Sequence, residues 1–214
     1  MIIAIDGSAA SGKGTLARKL ALRLNYDYLD TGALYRAVAL SLMKAGIDVN
    51  YIDENQAVKC ASEMDLTLTK SPEIRTDLVA SLASNIASLA TVRAELLTLQ
   101  RAFAAAPPSG NGAVLDGRDI GTIILPDADL KFFIDANISI RADRRTKELL
   151  RGGQSAIFRD VLAAMKIRDY RDRTRLVAPL RAAEDAISID TSNIDADALL
   201  ALALSYFETK HRVE

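Results

Sequence analysis

Residues 5–15 read Ile5-Asp6-Gly7-Ser8-Ala9-Ala10-Ser11-Gly12-Lys13-Gly14-Thr15, and this stretch decides the fold. It joins an apolar, β-branched run at residues 2–5, typical of a buried strand, to a segment with leucine at every fourth position, typical of a helix. In this context the spaced glycines and the lysine form a P-loop, whose backbone N–H groups and helix N-terminus cradle phosphate. We therefore predict that residues 7–15 bind the triphosphate of a nucleotide, with Lys13 as a mobile cation.

The loop departs from the usual P-loop pattern at one position. Serine or threonine usually follows the lysine and ligates Mg²⁺, whereas Gly14 follows Lys13 here and Thr15 comes next. Either Thr15 reaches the metal or an α-phosphate, or the metal is held through water and a distant acid. Asp116, at the end of a second buried strand, is the candidate acid, although Asp-Gly is also a common turn pair.

Strands alternate with helices along most of the chain. Short buried strands are predicted at 26–29, 113–115, 130–134 and 186–189, with helical segments between them. This alternation predicts an α/β fold with a central five-stranded parallel sheet and helices on both faces. The stretch from about 48 to 80 fits it poorly and is interpreted as an inserted lobe. Within that lobe, residues 64–69 alternate as a half-exposed strand does, and Pro72 opens a helix; further on, residues 84–105 are strongly helical.

Composition and length limit the class of protein. Half of the 214 residues are hydrophobic, which is enough for a sizeable core in one domain. The single cysteine, Cys60, excludes a disulfide framework, and we find neither a signal peptide nor a membrane-spanning stretch. A net charge of −1 gives no sign of nucleic-acid binding. We expect a cytoplasmic monomer whose partners are small nucleotides, with no nucleic acid and no membrane.

Arginine is concentrated between residues 141 and 181, where ten arginines and two lysines face five acids. Arginine is the preferred residue for bidentate phosphate contacts, although a solvated helical face also carries such charge. Arg141, Arg144 and Arg145 precede the glycine pair at 152–153 and form a candidate lid that closes over phosphates.

The next helix carries a second group of charges. Arg168, Asp172 and Arg175 are spaced so that they share one helical face. They form either a set of substrate ligands or an ion-pair ladder on the surface.

The scarcity of histidine favours a phosphate acceptor that needs no imidazole base. The only imidazole, His211, lies close to the end of the chain, where chains fray. An acceptor that is already an anion, such as a nucleoside monophosphate, needs no base, and catalysis then consists of positioning and charge neutralisation. Asp30 and Asp119 stay open as alternative bases.

Two further segments look like elements of an acceptor site. Residues 30–36, Asp-Thr-Gly-Ala-Leu-Tyr-Arg, predict a helix capped by Thr31, with Arg36 as either a ligand or an ordinary surface arginine. Residues 115–122, Leu-Asp-Gly-Arg-Asp-Ile-Gly-Thr, follow a buried strand at its carboxyl end, where ligands bind in doubly wound sheets.

Together these segments resemble the bacterial cytidylate kinases, a branch of the nucleoside monophosphate kinases. The matching pieces run in the family's order over most of the chain: 5–7 with 12–15, 29–36, 116–122, 168–175 and 177–180. The Gly14-Thr15 ending is itself a habit of the family, and Ser8 stands where proline is common. The resemblance implies a P-loop kinase fold in three parts: a core at 1–30, 86–140 and 176–214, a monophosphate-binding lobe at about 31–85, and a short lid with Arg-rich helices at about 141–175.

The resemblance also implies an activity, namely ATP-dependent phosphorylation of CMP and dCMP to CDP and dCDP, with Mg²⁺, in pyrimidine nucleotide metabolism. Lys13, Arg144 and Arg168 would act on the transferring phosphoryl group, and Thr15 and Asp116 would hold the metal through water. The residues that would bind CMP are Thr31, Arg36, Arg118 and Arg175 at the phosphate, Ser84, Arg93 and Asp119 at the base, and Arg168 and Asp172 at the ribose.

The implied base contacts agree with the chemistry of cytosine. Its N4 amino group is a donor that suits Asp119, and its N3 and O2 acceptors suit Arg93 and Ser84. Uracil presents a carbonyl to Asp119 instead and should be rejected. Two other functions stay open: a P-loop kinase acting on a small hydroxyl compound, and a nucleotide-dependent switch. The sequence lacks the guanine-reading Asn-Lys-x-Asp motif, which weighs against a GTPase.

Overall fold

The computed structural model describes residues 1–47 and 52–211. Within this part, five strands form one sheet: β1 (Ile2–Gly7), β2 (Asp27–Asp30), β3 (Ala113–Gly117), β4 (Leu130–Asp135) and β5 (Ile187–Asp190). Every pair of neighbouring strands is parallel, and the order is β2-β3-β1-β4-β5. The predicted five-stranded parallel sheet is therefore confirmed.

Helices connect and flank the strands. They are α1 (Lys13–Leu24), α2 (Thr31–Lys44), α3 (Glu54–Ser62), α4 (Asp77–Ile86), α5 (Ala90–Ala105), α6 (Ile138–Arg151), α7 (Phe158–Thr174) and α8 (Ala196–His211). Alternate residues of β1 face opposite sides of the sheet, as a strand requires. Ile3 and Ile5 pack with Leu16 of α1 and Leu199 of α8, whereas Ala4 packs with Ala104 of α5. Both faces of the sheet are thus covered by helices.

The segment between α2 and β3 has a hydrophobic core of its own. Side chains from α2, α4 and α5 form this cluster, with Val38, Leu82 and Leu96 nearly fully buried. Ile74, from a short 3₁₀ helix (Pro72–Arg75), lies in the same cluster at 0% exposure. These residues form a cluster separate from the two clusters that cover the faces of the sheet, and the predicted division into core and lobe stays a prediction. The part of the predicted lobe at 48–51 lies outside the described residues.

One secondary-structure prediction in this segment was wrong, and a second was right except for a break. Residues 64–69 were expected to form a strand, but Leu66–Lys70 is a 3₁₀ helix. The Asp65 carboxylate accepts the Thr67 N–H and starts a turn, a local hydrogen bond that competes with an extended chain. The helical stretch expected at 84–105 is divided between α4 and α5, which are joined by a turn at 87–89.

The P-loop begins where β1 passes very close to β4. A Cβ atom on Gly7 would lie 1.9 Å from the carbonyl oxygen of Ile134, its partner in the sheet. No side chain fits there, so glycine is required for the close strand pairing. The loop ends at Gly12, which caps α1 with a φ of 96°, in the left-handed region that favours glycine.

Candidate active site

Two adjoining cavities lie at the carboxyl ends of β1 and β3, the edge at which α/β sheets bind ligands. The larger has a volume of about 300 Å³ and the smaller about 60 Å³. Six residues line both cavities: Lys13, Asp30, Arg36, Asp116, Arg118 and Arg168. Since four of these six are cationic, the junction suits a group that carries several negative charges.

The larger cavity is built on the P-loop. Residues 9–15, from Ala9 to Thr15, line it, and the N-terminus of α1 points toward it. Gly7 and Ser8, also predicted to bind ATP, lie behind the loop. Gly7 belongs to β1, and Ser8 is fully buried with its hydroxyl 3.5 Å from a terminal nitrogen of Arg173. These two residues therefore shape the loop from beneath.

Lys13 and Asp116 face each other at the junction. The Lys13 Nζ lies 3.9 Å from Asp116 Oδ2, and the Tyr28 hydroxyl donates to Asp116 Oδ1 at 3.1 Å. Burial lowers the pKa of Lys13 and raises the pKa of Asp116, because each charged form loses water. Within the described residues the ammonium thus has one long ion contact, which leaves its hydrogen-bond donors available to phosphate oxygens.

The position of Asp116 explains the glycine that follows Lys13. A Cβ atom on Gly14 would lie 3.0 Å from Asp116 Oδ2 and 3.6 Å from Arg18 Nη1. A side chain at position 14 would therefore press against the Asp116 carboxylate, which would have to shift by a few tenths of an ångström to admit it. Asp116 and Thr15 both line the larger cavity and offer the oxygen atoms that Mg²⁺ prefers. Among the described residues, no group of three or more His, Cys, Asp or Glu forms a metal cage.

The smaller cavity collects the residues that the family resemblance assigned to CMP. All nine line it: Thr31, Arg36, Ser84, Arg93, Arg118, Asp119, Arg168, Asp172 and Arg175. They come from α2, α4, α5, α7 and the loop after β3, so only the folded chain brings them together. Their individual roles stay predictions.

Asp119 sits between two buried arginines at the inner end of this cavity. Arg93 donates to Asp119 Oδ2 and to the carbonyl of Ala87, and Arg175 Nη2 lies 3.8 Å from Asp119 Oδ1. Burial raises the pKa of Asp119, while the neighbouring guanidinium groups oppose that shift. The Arg93 guanidinium also lies 5.7 Å from the centre of the Tyr35 ring, a cation–π distance. A carboxylate acceptor and guanidinium donors thus stand side by side.

Asp172 connects three segments around the same cavity. Its carboxylate accepts from Ser84 Oγ at 3.1 Å and from Arg118 Nε at 3.0 Å. Although burial works against the charged form, Arg118 and Arg168 hold the pKa of Asp172 below its usual value. Asp172 therefore fixes the side chains of α4 and of the loop after β3 relative to α7.

Two guanidinium groups keep buried donors without an acceptor. Arg168 Nε and Arg175 Nη2 are shielded from solvent, yet neither has a hydrogen-bond partner among the described residues. Burial and the charge of Arg118 lower the pKa of Arg168 to about 9, so it is still protonated at neutral pH. Buried donors are rarely left unpaired, and these two favour a ligand with oxygen acceptors in the cavity.

The helix predicted to open at Thr31 is capped one residue earlier. Asp30 is the N-cap of α2, because its carboxylate accepts the Ala33 N–H at 3.0 Å. Thr31 is the first helical residue, and its hydroxyl donates to the Asp116 carbonyl at 2.8 Å. The predicted cap is therefore wrong, while Thr31 still lines the smaller cavity and ties α2 to β3.

The three arginines of the predicted lid have different surroundings. Arg145 lines the larger cavity, whereas Arg144 donates to the carbonyls of Ser11, at 3.4 Å, and Thr191, at 2.6 Å. Arg141 is buried and pairs with Asp169 at 2.6 Å. Arg144 thus supports the P-loop backbone in this arrangement, and its predicted action on the transferring phosphoryl group stays a prediction.

Some lining residues were missed by sequence reasoning. Arg75 and Asp77 line the larger cavity from the lobe, and Arg171 lines it from α7. Arg75 and Asp77 lie in no recognisable motif, and Arg171 looks like one more charge on an arginine-rich helix. Tyr28 could have been noticed because it precedes the Asp-Thr-Gly segment, but its bond to Asp116 depends on β2 pairing beside β3.

Asp6 links the P-loop strand to the loop that carries Asp119. Its buried carboxylate accepts the N–H groups of Ile120 and Gly121, both at 2.8 Å. Burial raises the pKa of Asp6 to about 7, against the effect of these two hydrogen bonds. Asp6 thereby fixes the turn that follows Asp119.

The raised pKa of Asp6 predicts a pH-dependent stability. The folded state binds this proton more tightly than the unfolded state, so the stabilisation is complete below about pH 4 and is lost as pH rises through 7. We expect the free energy of unfolding of the wild type, relative to that of Asp6→Asn, to fall by about 2 kcal/mol from pH 5 to pH 7.5. Urea unfolding at both pH values measures it, with exposed Asp127→Asn as the control. An equal difference at both pH values would contradict the prediction.

The P-loop, its buried lysine and the arginine-lined second cavity define a P-loop kinase that brings two phosphate-bearing substrates together. The chain belongs to the cytidylate kinase family, whose model, described as "Cytidylate kinase", matches residues 3–209. It is 52% identical over 210 residues to the cytidylate kinase of Paramagnetospirillum magneticum, covering 98% of both chains. It is 48% identical over 211 residues to the cytidylate kinase of Rhodospirillum rubrum, again covering 98% of both.

Solved structures support the fold. An uncharacterized protein from Eubacterium ventriosum has a TM-score of 0.54 at 19% identity, over 97% of this chain and 98% of that one. A sugar kinase from Janibacter sp. has a TM-score of 0.50 at 15% identity, over 97% and 94% of the two chains. At these identities the likeness concerns the fold alone. Across the described residues, no helix is long and apolar enough to cross a membrane.

Proposed function

We propose that this protein transfers the γ-phosphoryl group of ATP to CMP and dCMP, producing CDP and dCDP for pyrimidine nucleotide metabolism. The observation that carries the proposal is the smaller cavity, where Asp119 and Arg93 stand side by side behind an arginine-rich junction with the P-loop. The names of the relatives, at 52% and 48% identity over nearly the whole chain, support the same activity.

The proposed chemistry consists of positioning and charge neutralisation. The loop amides and Lys13 hold the β- and γ-phosphates of ATP, with Thr31, Arg36 and Arg118 around the phosphate of CMP. Arg175, which the resemblance also assigned to that phosphate, lies beside Asp119 and lines only the smaller cavity. Because the acceptor is an anion, the reaction needs no base to create a nucleophile. Arg168, with its unpaired buried donor, is suited to the charge that develops on the transferring group. Arg144 would join it there only after leaving its present bonds to Ser11 and Thr191.

Cytosine is read by the inner end of the smaller cavity in this proposal. Asp119 accepts from the N4 amino group, while Arg93 and Ser84 face N3 and O2. Asp172 and Arg168 face the ribose. Asp119 already forms an ion pair with Arg93, so the array is held in place before the base arrives. Pre-organisation of this kind lowers the cost of binding.

Mg²⁺ is proposed as the metal that accompanies ATP. Thr15 and Asp116, with intervening water, would hold it, and it would neutralise phosphate charge when bound. This reading is supported by hard oxygen donors at one wall of the larger cavity. Mg²⁺ is commonly bound by one or two carboxylates together with substrate phosphates, which agrees with the single nearby carboxylate that faces Gly14.

The proposal includes the organisation of the chain. The core at 1–30, 86–140 and 176–214 holds ATP, the lobe at about 31–85 holds CMP, and the segment at about 141–175 closes as a lid. The hydrophobic cluster of α2 and α4 supports the lobe, and α5, which shares that cluster, joins it to the core. We also propose that the protein acts as a cytoplasmic monomer.

A coupled assay with ATP across CMP, dCMP, UMP, AMP and GMP tests the function. We expect CMP and dCMP to be turned over best and UMP much more slowly. Chelation of Mg²⁺ should abolish turnover, and its return should restore it. Turnover of UMP or AMP equal to that of CMP would refute cytosine reading. Phosphorylation of a small hydroxyl compound instead would favour the rival kinase, and slow ATP hydrolysis without any acceptor would favour a switch.

A further inference from the structure

Arg75 occupies a distinctive place in the larger cavity. It ends the 3₁₀ helix of the lobe, and its side chain lines the cavity opposite the P-loop. Its backbone carbonyl accepts a hydrogen bond from Arg145 of α6 at 3.2 Å, so the backbone at this position is held from across the cleft. The side chain is 47% exposed, and its one ion contact within the described residues is Asp30, at 3.5 Å. Most of its donors are therefore free.

The charges around Arg75 are only partly balanced by nearby carboxylates. Arg145 pairs with Asp77 and Glu148. Arg118 pairs with Asp172, whereas Arg36 has no ion pair within the described residues. Burial lowers the pKa of Arg36, and Arg75, Arg118 and Arg145 add to this effect, because all of them are close enough to repel it. Asp30 opposes them, but its carboxylate is already shared between the Ala33 N–H and Arg75. A cluster of like charges of this kind is stabilised when an anion enters it.

The position of Arg75 relative to the two cavities indicates which anion it binds. Arg75 lines the larger cavity and not the smaller one, but its 3.5 Å contact with Asp30, which lines both, brings its guanidinium to the edge of the junction. A nucleoside in the smaller cavity would direct its 5′ end toward this junction. Guanidinium groups bind phosphate oxygens in pairs of parallel hydrogen bonds.

We infer that Arg75 binds the phosphate group of the acceptor monophosphate, which makes it a binding residue supplied by the lobe. The inference rests on the proposed function, because it assumes an acceptor that carries a phosphate. The 3.5 Å contact with Asp30 then serves as a resting position for the guanidinium. Entry of the phosphate replaces a shared carboxylate with a dianion.

The test compares CMP with cytidine, which lacks the phosphate. In Arg75→Met we expect the KM for CMP to rise about tenfold or more, the value of a charged hydrogen bond, while the KM for ATP changes less than twofold. Binding of cytidine should be unchanged, and Arg75→Lys should recover part of the CMP affinity. Arg151→Met is the matched control, since Arg151 is exposed at the end of α6 and lines neither cavity.

The outcomes separate the inference from the proposed function. Equal weakening of CMP and cytidine would show a structural role and overturn the inference, as would an unchanged KM for CMP. Should the wild type prefer another monophosphate, the comparison is made with that monophosphate and its nucleoside. The proposed preference for CMP would then be refuted, while the comparison would still test whether Arg75 binds the acceptor phosphate. A wild type that phosphorylates no monophosphate would overturn both.

Discussion

Replacing Lys13 by methionine is expected to lower kcat by about 10³-fold, the loss typical of removing one group that stabilises transition-state charge. The Lys13 ammonium lies at the junction of the two cavities, 3.9 Å from Asp116, and the side chain is 15% exposed. Methionine has a similar length and keeps the apolar contacts of the stem. The substitution removes the ammonium of Lys13, which is the one lysine among the described residues that lines both cavities.

The matched control for this variant is Lys19→Met, two turns further along α1. Lys19 pairs with Asp197 at the surface, where a salt bridge contributes little. Steady-state kinetics at saturating CMP and ATP give kcat, and thermal unfolding shows whether both variants fold. The role assigned to Lys13 is refuted if the folded variant keeps more than a tenth of the wild-type kcat.

Asp119→Asn is expected to lower kcat/KM for CMP by about 10³-fold and to leave the KM for ATP nearly unchanged. The wild-type carboxylate accepts the cytosine amino group in our proposal, and sites built around one buried polar pair discriminate strongly. Asparagine places an amide where a charged acceptor stood. It also leaves Arg93 and Arg175 beside a neutral group, although both are buried.

Loss of the Asp119 charge beside Arg93 and Arg175 also lowers the stability of the protein, and this effect must be separated from the loss in catalysis. Breaking a buried ion pair costs about 3 kcal/mol or more, so assays belong at a temperature where the variant is folded. Exposed Asp127→Asn serves as the control. The ratio of CMP to UMP use should also fall, because the new amide can donate to the uracil carbonyl. An unchanged ratio together with unchanged CMP kinetics would remove Asp119 from the base site.

The parts of the fold that could be predicted are those encoded by local patterns. The P-loop lies within nine consecutive residues, and each strand is a short apolar run, so Lys13 and the parallel sheet follow from periodicity and spacing. The strand expected at 64–69 failed because six alternating residues also fit a turn, and the Asp65 cap decided for the turn. The helical stretch expected at 84–105 is interrupted at 87–89, and this break was not predictable because no glycine or proline marks it.

The candidate site was partly predictable for a different reason. Arg93 and Ser84 have no motif signal, and only the resemblance placed them in the smaller cavity, where both are found. Arg144 and Arg145 are adjacent in sequence, yet one holds the P-loop backbone and the other lines the cavity. Which side chain of a charged helix faces a cleft depends on how the helix is rotated against its neighbours. That rotation is a property of tertiary packing.

The close approach of Asp116 to Gly14 has a consequence for recombination and engineering. Position 14 depends on a carboxylate that enters the chain about a hundred residues later, so the two positions form one functional unit split across the gene. Grafting a P-loop with serine or threonine at this position would crowd the Asp116 carboxylate and require it to shift. Exchanges between this enzyme and other P-loop kinases should therefore succeed only when both segments are transferred together.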